Sequence, residues 1–131
     1  MTTIKQLDEK QYTLIHQYTE MLQTVEEAFE YVESSFDDYS KTEGDLVLSD
    51  IFAALGQIES SNQLLKELFQ EENEVLTTLE KFDVVPNQAL KLEGNFNDQN
   101  VKEKVIKESL FPAFSAWKME VEKVMKPFIR N

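Results

Sequence analysis

The sequence predicts an all-α protein, an antiparallel bundle of three long helices. Along most of the 131 residues, apolar side chains recur at steps of three and four, which is the helical period. The chain has only three Gly and three Pro, which argues against a turn-rich β sandwich or barrel. Long amphipathic segments joined by polar or irregular connections pack as antiparallel bundles. We expect one domain over residues 1–131, because this length is ordinary for a single domain and lets it bury roughly two-thirds of its unfolded surface.

The first helix is predicted from about Asp8 to Phe36. Asp8 and Gln11 stand three residues apart at its start, which is the spacing of a capping pair. The helix is followed by the polar stretch 37–45, which contains Gly44. Its apolar stripe consists of Ile15, Tyr18, Leu22, Val25, Phe29, Val32 and Phe36.

The second helix is predicted from about Asp45 to Lys81. Ser60 and Gln63 also have capping spacing, so a break or bend near Ser60 competes with a continuous helix, which we favour. Asn62 and Glu72 fall on the apolar stripe. An isolated buried carboxylate is costly, so we expect Glu72 at the edge of the stripe. The stripe consists of Leu48, Ile51, Leu55, Ile58, Asn62, Leu65, Phe69, Glu72, Leu76 and Leu79.

Residues 83–99 are predicted to be an irregular connection that lies across the bundle. Pro86 and Gly94 favour irregular structure, and one helical turn is expected at Gln88–Leu92. The segment is unusually apolar for a loop, with Val84, Val85, Leu90, Leu92 and Phe96. A long loop of this kind normally packs on the fold or carries function.

The third helix is predicted to begin near 97–100, with Asn100 and Glu103 as its capping pair. Pro112 interrupts it, and an internal proline costs about 3 kcal/mol. The apolar period continues on both sides of Pro112, so a kink is favoured over a stop. Breaks near Ser60 or Pro112 would raise the helix count to four or five. The stripe consists of Ile106, Leu110, Phe114, Trp117, Val121, Val124 and Phe128.

The charge of the chain excludes several classes of partner. Thirteen basic and 25 acidic residues give a net charge of −12. Nucleic acid and anionic membrane surfaces would be repelled, so neither is expected as a direct partner. The sequence shows no secretory signal peptide and no apolar run long enough for a transmembrane helix. Cysteine is absent, which fits a reducing compartment, and we expect a cytoplasmic protein.

The charge is also unevenly distributed. Residues 1–97 carry 20 acids and 6 bases, a net of −14, whereas residues 98–131 carry 5 acids and 7 bases, a net of +2. The acidic residues between Glu20 and Asp45 form a solvated helix face or a docking surface for a basic partner. Lysines of the last helix are expected to flank its apolar stripe and relieve repulsion among the acids. These lysines are Lys102, Lys104, Lys107, Lys118, Lys123 and Lys126.

No catalytic constellation, metal site or cofactor site is expected, and the protein is interpreted as not an enzyme. The sole histidine, His16, lies off the apolar stripe and lacks the Lys and Gly that usually follow a phosphotransfer histidine. Thr13 stands where a Glu-x-x-His di-metal motif needs glutamate. No nucleophile or phosphate-binding loop is recognisable. We expect His16 to be dispensable.

Three aromatic residues around Pro112 form the one candidate partner groove. Phe111, Phe114 and Trp117 are three residues apart, with small residues between them. One interpretation places Phe114 and Trp117 in the core and Phe111 under the apolar segment 83–99. The other is a groove opened by the proline kink that accepts a partner helix.

In size, helix layout and composition the chain resembles small acidic helical-bundle proteins of unassigned function from low-GC Gram-positive bacteria. Flagellar and type III export chaperones share this architecture, but no motif carries a site across. The function is unknown. The leading interpretation is a non-catalytic cytoplasmic protein-interaction module, either an adaptor, a chaperone or a regulator. The alternatives are an acidic inhibitor of a basic nucleic-acid-binding protein, and a small-molecule binder or enzyme with a pocket near Trp117.

Overall fold

Helices account for nearly all of the chain that the computed structural model describes, residues 7–38 and 44–128. No strand occurs in these two ranges, so the predicted all-α class is confirmed. The helices are α1 (Glu9–Ser35), α2 (Gly44–Leu68), α3 (Asn73–Glu80), α4 (Val84–Ala89), α5 (Gln99–Val105) and α6 (Phe111–Met125). The 3₁₀ turns are Lys81–Asp83, Leu90–Leu92 and Lys126–Phe128, and a π turn spans Ile106–Leu110.

These segments form four helical rods around a common core. The first two rods are α1 and α2, the third runs from α3 through Leu92, and the fourth runs from α5 through Phe128. α1 packs along α2, α2 contacts α3, α3 contacts α6, and α6 returns to α1. Each rod therefore touches the next, and the third rod supplies a wall that the prediction divided between the end of the second helix and an irregular connection.

α1 agrees closely with its prediction. The backbone N–H of Gln11 donates to the Asp8 carboxylate at 2.8 Å, and the Asp8 N–H donates to the Gln11 side chain at 3.0 Å. This reciprocal pair is the capping box that the spacing indicated. The predicted stripe is buried from Ile15 to Val32, and Phe36 caps the helix end. Residues 39–43 of the predicted polar connection lie outside the described residues.

α2 runs straight through Ser60 and ends at Leu68, so the predicted continuation to Lys81 is wrong. Asn62 is accommodated in the core, only 2% exposed, because the buried Tyr18 hydroxyl donates to its Oδ1 at 2.5 Å. The chain reverses at residues 69–72, where the Glu72 N–H donates to the Phe69 carbonyl. Glu72 lies at this turn, partly exposed, which removes the need to bury its carboxylate.

Helical structure extends over residues 83–92, well beyond the one turn predicted at Gln88–Leu92, so this half of the predicted connection is not irregular. The 3₁₀ turn ahead of α4 places Pro86 in the first turn of a new helix, a position that proline tolerates. Irregular structure is confined to residues 93–98, where Gly94 adopts a φ of +78° that favours glycine. Val85 is fully buried, whereas Leu90 is 62% exposed.

The last rod begins within the predicted range 97–100, with a different capping residue, and continues past Pro112. The Asp98 side chain accepts from the N–H groups of Asn100 and Val101, so Asp98 is the cap and the predicted Asn100–Glu103 pair is wrong. The Phe111 N–H donates to the Ile106 carbonyl, five residues back. This wider π turn lets α6 begin with Pro112 at its start, where no N–H is required.

Three of the predicted lysines dock the last rod onto acidic residues of the first two rods. Lys102 pairs with Asp45 at 2.6 Å and Lys118 pairs with Glu26 at 3.2 Å. Lys107 reaches Asp37 at 3.3 Å, just beyond the end of α1. The other three lysines of that set lie exposed on the same rod.

Candidate interaction site

An open apolar groove of about 560 Å³ lies between α2 and the segment that runs from α4 to Leu92. We call it the α2–α4 groove. The α2 wall is one helix face, since its residues are spaced by three, four and seven positions. That wall consists of Phe52, Leu55, Gly56 and Glu59. The facing wall consists of Pro86, Ala89, Leu90, Leu92 and Glu93, and Gly94 and Phe96 close one end.

The groove exists because α4 turns away from α2. α2 contacts α3 beside the connecting turn, but α4 packs against α6 and the π turn instead. The side chain of Val85 in α4 is completely buried, which stabilises α4 in this position. The gap that opens towards the start of α2 is closed at one end by Phe96, whose ring lies 6.4 Å from that of Phe52.

Gly56 stands in the middle of α2 and lines the groove. A Cβ atom built there meets nothing within 4 Å, so no contact among residues 7–38 and 44–128 requires glycine at this position. Glycine in a helix interior costs about 0.5–1 kcal/mol relative to alanine. The visible structural effect of this glycine is to lower the wall of the groove and expose the α2 backbone.

The rim of the groove is acidic. Its two charged lining residues are Glu59, on α2, and Glu93, on the opposite side. Within residues 7–38 and 44–128, neither carboxylate forms an ion pair. Leu90 adds an exposed apolar side chain to the same mouth. The groove is therefore complementary to a partner surface that is apolar and carries a positive charge beside its apolar side chains.

A buried lysine supports the end of the groove. Lys102 is 2% exposed, and its Nζ lies 2.6 Å from an Asp45 carboxylate oxygen and 4.6 Å from the centre of the Phe96 ring. An ammonium over an aromatic face is attracted to the ring. The Phe96 ring is therefore held in place by two contacts, one with the Lys102 ammonium and one with the Phe52 ring.

The predicted groove residues lie together, but mainly in the core. Phe114 is fully buried and Trp117 is 3% exposed, with its Nε1 donating to the Thr78 carbonyl at 2.9 Å. Phe111 is partly buried and stacks on Phe29 at a centroid distance of 5.0 Å. This placement agrees with the core interpretation of Phe114 and Trp117; Phe111 packs on α1.

A second depression, also of about 560 Å³, lies beside Trp117. Ala113 and Ala116 form one side, and Val84 and Asn87 of α4 form the other. Its rim carries an exposed ion pair, in which the Lys81 Nζ lies 2.8 Å from Glu120. This is the region where the sequence predicted a pocket near Trp117 and residues 83–99.

His16 lies on the surface, away from both depressions. Its Nε2 is 3.7 Å from a Glu20 carboxylate oxygen, and both side chains are more than half exposed. Across the described residues, no cluster of three or more His, Cys, Asp or Glu side chains is arranged to hold a metal ion. None of the described helices is both long enough and apolar enough to cross a bilayer.

The sequence pointed to one wall of the groove and missed the other. The apolar character of residues 83–99 marked the segment that contains Leu90 and Phe96. Gly56 lies between Leu55 and Ile58 of the predicted stripe, but the spacing alone does not show that it lines open space. The acidic rim depends on Glu59 and Glu93, which are far apart in sequence.

Comparisons with known proteins identify a family but no activity. A family model described as "Domain of unknown function (DUF8042)" matches residues 13–120. The matched range contains both walls of the α2–α4 groove. The searches of curated proteins and of solved structures gave no match.

Proposed function

We propose that this chain, which belongs to the family described as domain of unknown function DUF8042, is a non-catalytic protein-interaction module. In this proposal the α2–α4 groove binds an apolar segment of a partner protein. The observation that carries it is the apolar groove itself, open above Gly56 and flanked by the exposed Leu90.

The energetics of burial support this use of the groove. Covering one large apolar side chain contributes about 1.5–3 kcal/mol, so two or three partner side chains contribute roughly 3–9 kcal/mol, which offsets part of the cost of association. Grooves between helices commonly receive an amphipathic helix through side chains spaced by three and four residues. Phe52 and Leu55 offer matching contacts along α2, and Leu90 offers one from the opposite side.

The non-catalytic part of the proposal rests on the chemistry at the site. The titratable side chains that line the groove are two glutamates, and His16 lies on another surface. No serine, threonine, cysteine or lysine side chain lines the groove. We extend the proposal to a cytoplasmic location, because a chain without cysteine suits a reducing compartment.

The test is a selection of helical peptides displayed on phage against the wild-type protein. Affinities of the selected peptides are then measured for Gly56→Leu, which fills the groove, and Leu90→Glu, which places a charge at its mouth. Matched controls are Gln57→Leu, on the exposed side of α2, and Leu64→Glu, at an exposed leucine outside the groove. We expect the groove variants to bind at least about tenfold more weakly, and the controls to bind within about twofold of wild type.

Equal binding by the groove variants and the wild type would overturn the proposal. Peptides that bind the groove variants as tightly as wild type, and whose affinity falls steeply as salt rises, would favour the acidic-inhibitor alternative. Circular dichroism of each variant verifies that the helical fold is retained.

A second candidate is small-molecule binding in the depression beside Trp117. The volume and the alanine-lined wall of that depression favour it. A thermal-shift screen with metabolites tests it, because a ligand that binds the native state raises the melting temperature. The shift should disappear in Ala116→Leu, which fills the depression.

A further inference from the structure

We infer that the partner segment is a basic amphipathic helix, which crosses α2 at Gly56 and places a lysine or arginine between Glu59 and Glu93. This inference rests on the proposed function of the α2–α4 groove. It names the secondary structure and the charge of the segment that the groove accepts.

The shape of the α2 wall favours a helical partner. From Phe52 to Glu59 the lining residues cover two helical turns, roughly 10 Å at 1.5 Å per residue. On a facing helix, apolar residues spaced by three and four positions along one face also recur over two turns, so they contact the wall along its length. Helix axes approach to 8–10 Å depending on the side chains between them, and a glycine at the crossing permits the close end of that range.

Gly56 provides the second observation. In the described part of the chain, the open space above it offers no packing reason for a glycine in the middle of α2. A partner backbone that approaches there would supply such a reason, because a side chain at this position would hold the two helices apart. The inference therefore assigns Gly56 as the crossing point.

The charges around the groove specify the sign of the partner. Glu59 and Glu93 face the groove from its two walls, so a cation between them is attracted by both. The neighbouring lysines are engaged elsewhere. The Lys91 Nζ lies 3.5 Å from the Ser109 hydroxyl, and Lys102 lies buried behind Phe96 against Asp45. An acidic segment would be repelled by the rim and by the net charge of −12.

The closing experiment uses the peptides selected by phage display. We expect the selected sequences to be enriched in lysine or arginine beside the apolar face. The double variant Glu59→Gln/Glu93→Gln should weaken binding by about fivefold or more at low salt, and much less at high salt. The matched control Glu67→Gln/Glu71→Gln removes the same charge from exposed positions outside the groove and should change binding by less than about twofold.

A double-mutant cycle then links the two charges. Replacing the basic residue of the peptide by glutamine should weaken binding to wild type, but hardly change binding to Glu59→Gln/Glu93→Gln. Gly56→Ala should raise the melting temperature and yet bind the peptide about threefold or more weakly. A purely structural role for Gly56 would change the melting temperature without changing affinity.

The outcomes separate the two proposals. Peptides that lose binding in Gly56→Leu but show no basic enrichment, or no response to Glu59→Gln/Glu93→Gln, overturn this inference and leave the groove as an interaction site. Selected peptides that are not helical when bound also overturn it. Binding that is unchanged in Gly56→Leu overturns both, as does a selection that yields no binder.

Discussion

The α1–α6 interface and the α2–α4 face both combine aromatic side chains with glutamates, yet only the first is closed. Phe29 of α1 stacks on Phe111 at 5.0 Å and lies 5.5 Å from Phe114. Beside these rings the Lys118 Nζ lies 3.2 Å from Glu26, and the lysine side chain is only 9% exposed. Burial alone would lower the pKa of Lys118, but hydrogen bonds with Glu122 and Glu26 outweigh it and raise the pKa above 10.5.

The α2–α4 face has the rings and the acids, but its buried lysine, Lys102, pairs with Asp45 and not with the rim glutamates. Phe52 and Phe96 meet at 6.4 Å, and Glu59 and Glu93 stand at the rim without a lysine between them. A lysine opposite a glutamate lets the last rod approach α1 closely. On the other side of the bundle the same type of acid is left available to a cation from outside the chain.

The largest expected difference between the two regions is in how much a side chain contributes to the free energy of unfolding. Trp117→Ala should lower the free energy of unfolding by about 3–5 kcal/mol, because Trp117 packs on Phe82 and its indole N–H bonds the Thr78 carbonyl. Leu90→Ala should change it by no more than about 0.5 kcal/mol, as expected for an exposed side chain. Urea unfolding followed by circular dichroism measures both. Equal losses in the two variants would mean that the groove side is as tightly packed as the core.

Alkaline pH should weaken the α1 side of the bundle. Burial raises the pKa of the Tyr18 phenol far above 10.0, and the pKa of Lys118 is also raised. Above the ordinary pKa values the folded state therefore holds more protons than the unfolded state, so stability falls as pH rises. It should be constant with respect to these groups up to about pH 9 and then decline by up to about 1.4 kcal/mol per pH unit for each group.

Urea unfolding midpoints measured from pH 7 to above pH 10 test whether stability is constant up to about pH 9 and then declines. Tyr18→Phe provides the control. This variant should be less stable at neutral pH, because Asn62 loses its donor, but its alkaline decline should be shallower than that of wild type. An identical slope in the two proteins would contradict the role of Tyr18.

The buried lysine behind the groove predicts an asymmetry between two substitutions. Asp45→Asn leaves the Lys102 ammonium buried without its carboxylate and should cost about 1–3 kcal/mol. Lys102→Met leaves Asp45, which is 67% exposed and remains hydrated, so the cost should stay below about 1 kcal/mol. Thermal or urea unfolding of the two variants gives the order. A larger loss for Lys102→Met would show that the cation–aromatic contact outweighs the ion pair.

The smallest effect expected is a gain in stability. Gly56→Ala should stabilise the free protein by about 0.5–1 kcal/mol, because alanine has the higher helix propensity and its Cβ enters open space. Ser60→Ala, at an exposed position one turn later on α2, should stabilise it by less than about 0.5 kcal/mol. Differential scanning calorimetry can resolve the two. A destabilised Gly56→Ala would place a contact above Gly56 and remove the open crossing point.

Local signals in the sequence were sufficient for α1 but not for the third rod. The capping pair of Asp8 and Gln11 and an unbroken stripe fix both ends of α1. The end of α2 was missed because apolar spacing continues through Phe69 and Val75 across a turn that contains neither Gly nor Pro. Pro86 was interpreted as a break, whereas it begins a new helical turn after a short 3₁₀ segment.

The groove could be predicted only in part, because it depends on which rod α4 packs against. Val85 is fully buried and Leu90 is 62% exposed, and nothing in the local spacing distinguishes these two apolar residues. The burial of Phe114 and Trp117 agrees with the core interpretation, because they continue a helical stripe. Glu59 and Glu93 come together only through tertiary structure.

The hydrogen bond between Tyr18 and Asn62 also sets the alignment of the first two rods. If α1 slid along α2 by one helical turn, the apolar stripes would still meet, since their spacing repeats. The hydroxyl and the amide, however, would lose each other in a dry interior, at about 1–3 kcal/mol for each unsatisfied group. This single polar pair therefore favours one register between α1 and α2 over all others, as a buried asparagine does in coiled coils. The height at which α2 presents Phe52 and Gly56 to the rest of the molecule is therefore set by a contact further along the same helix.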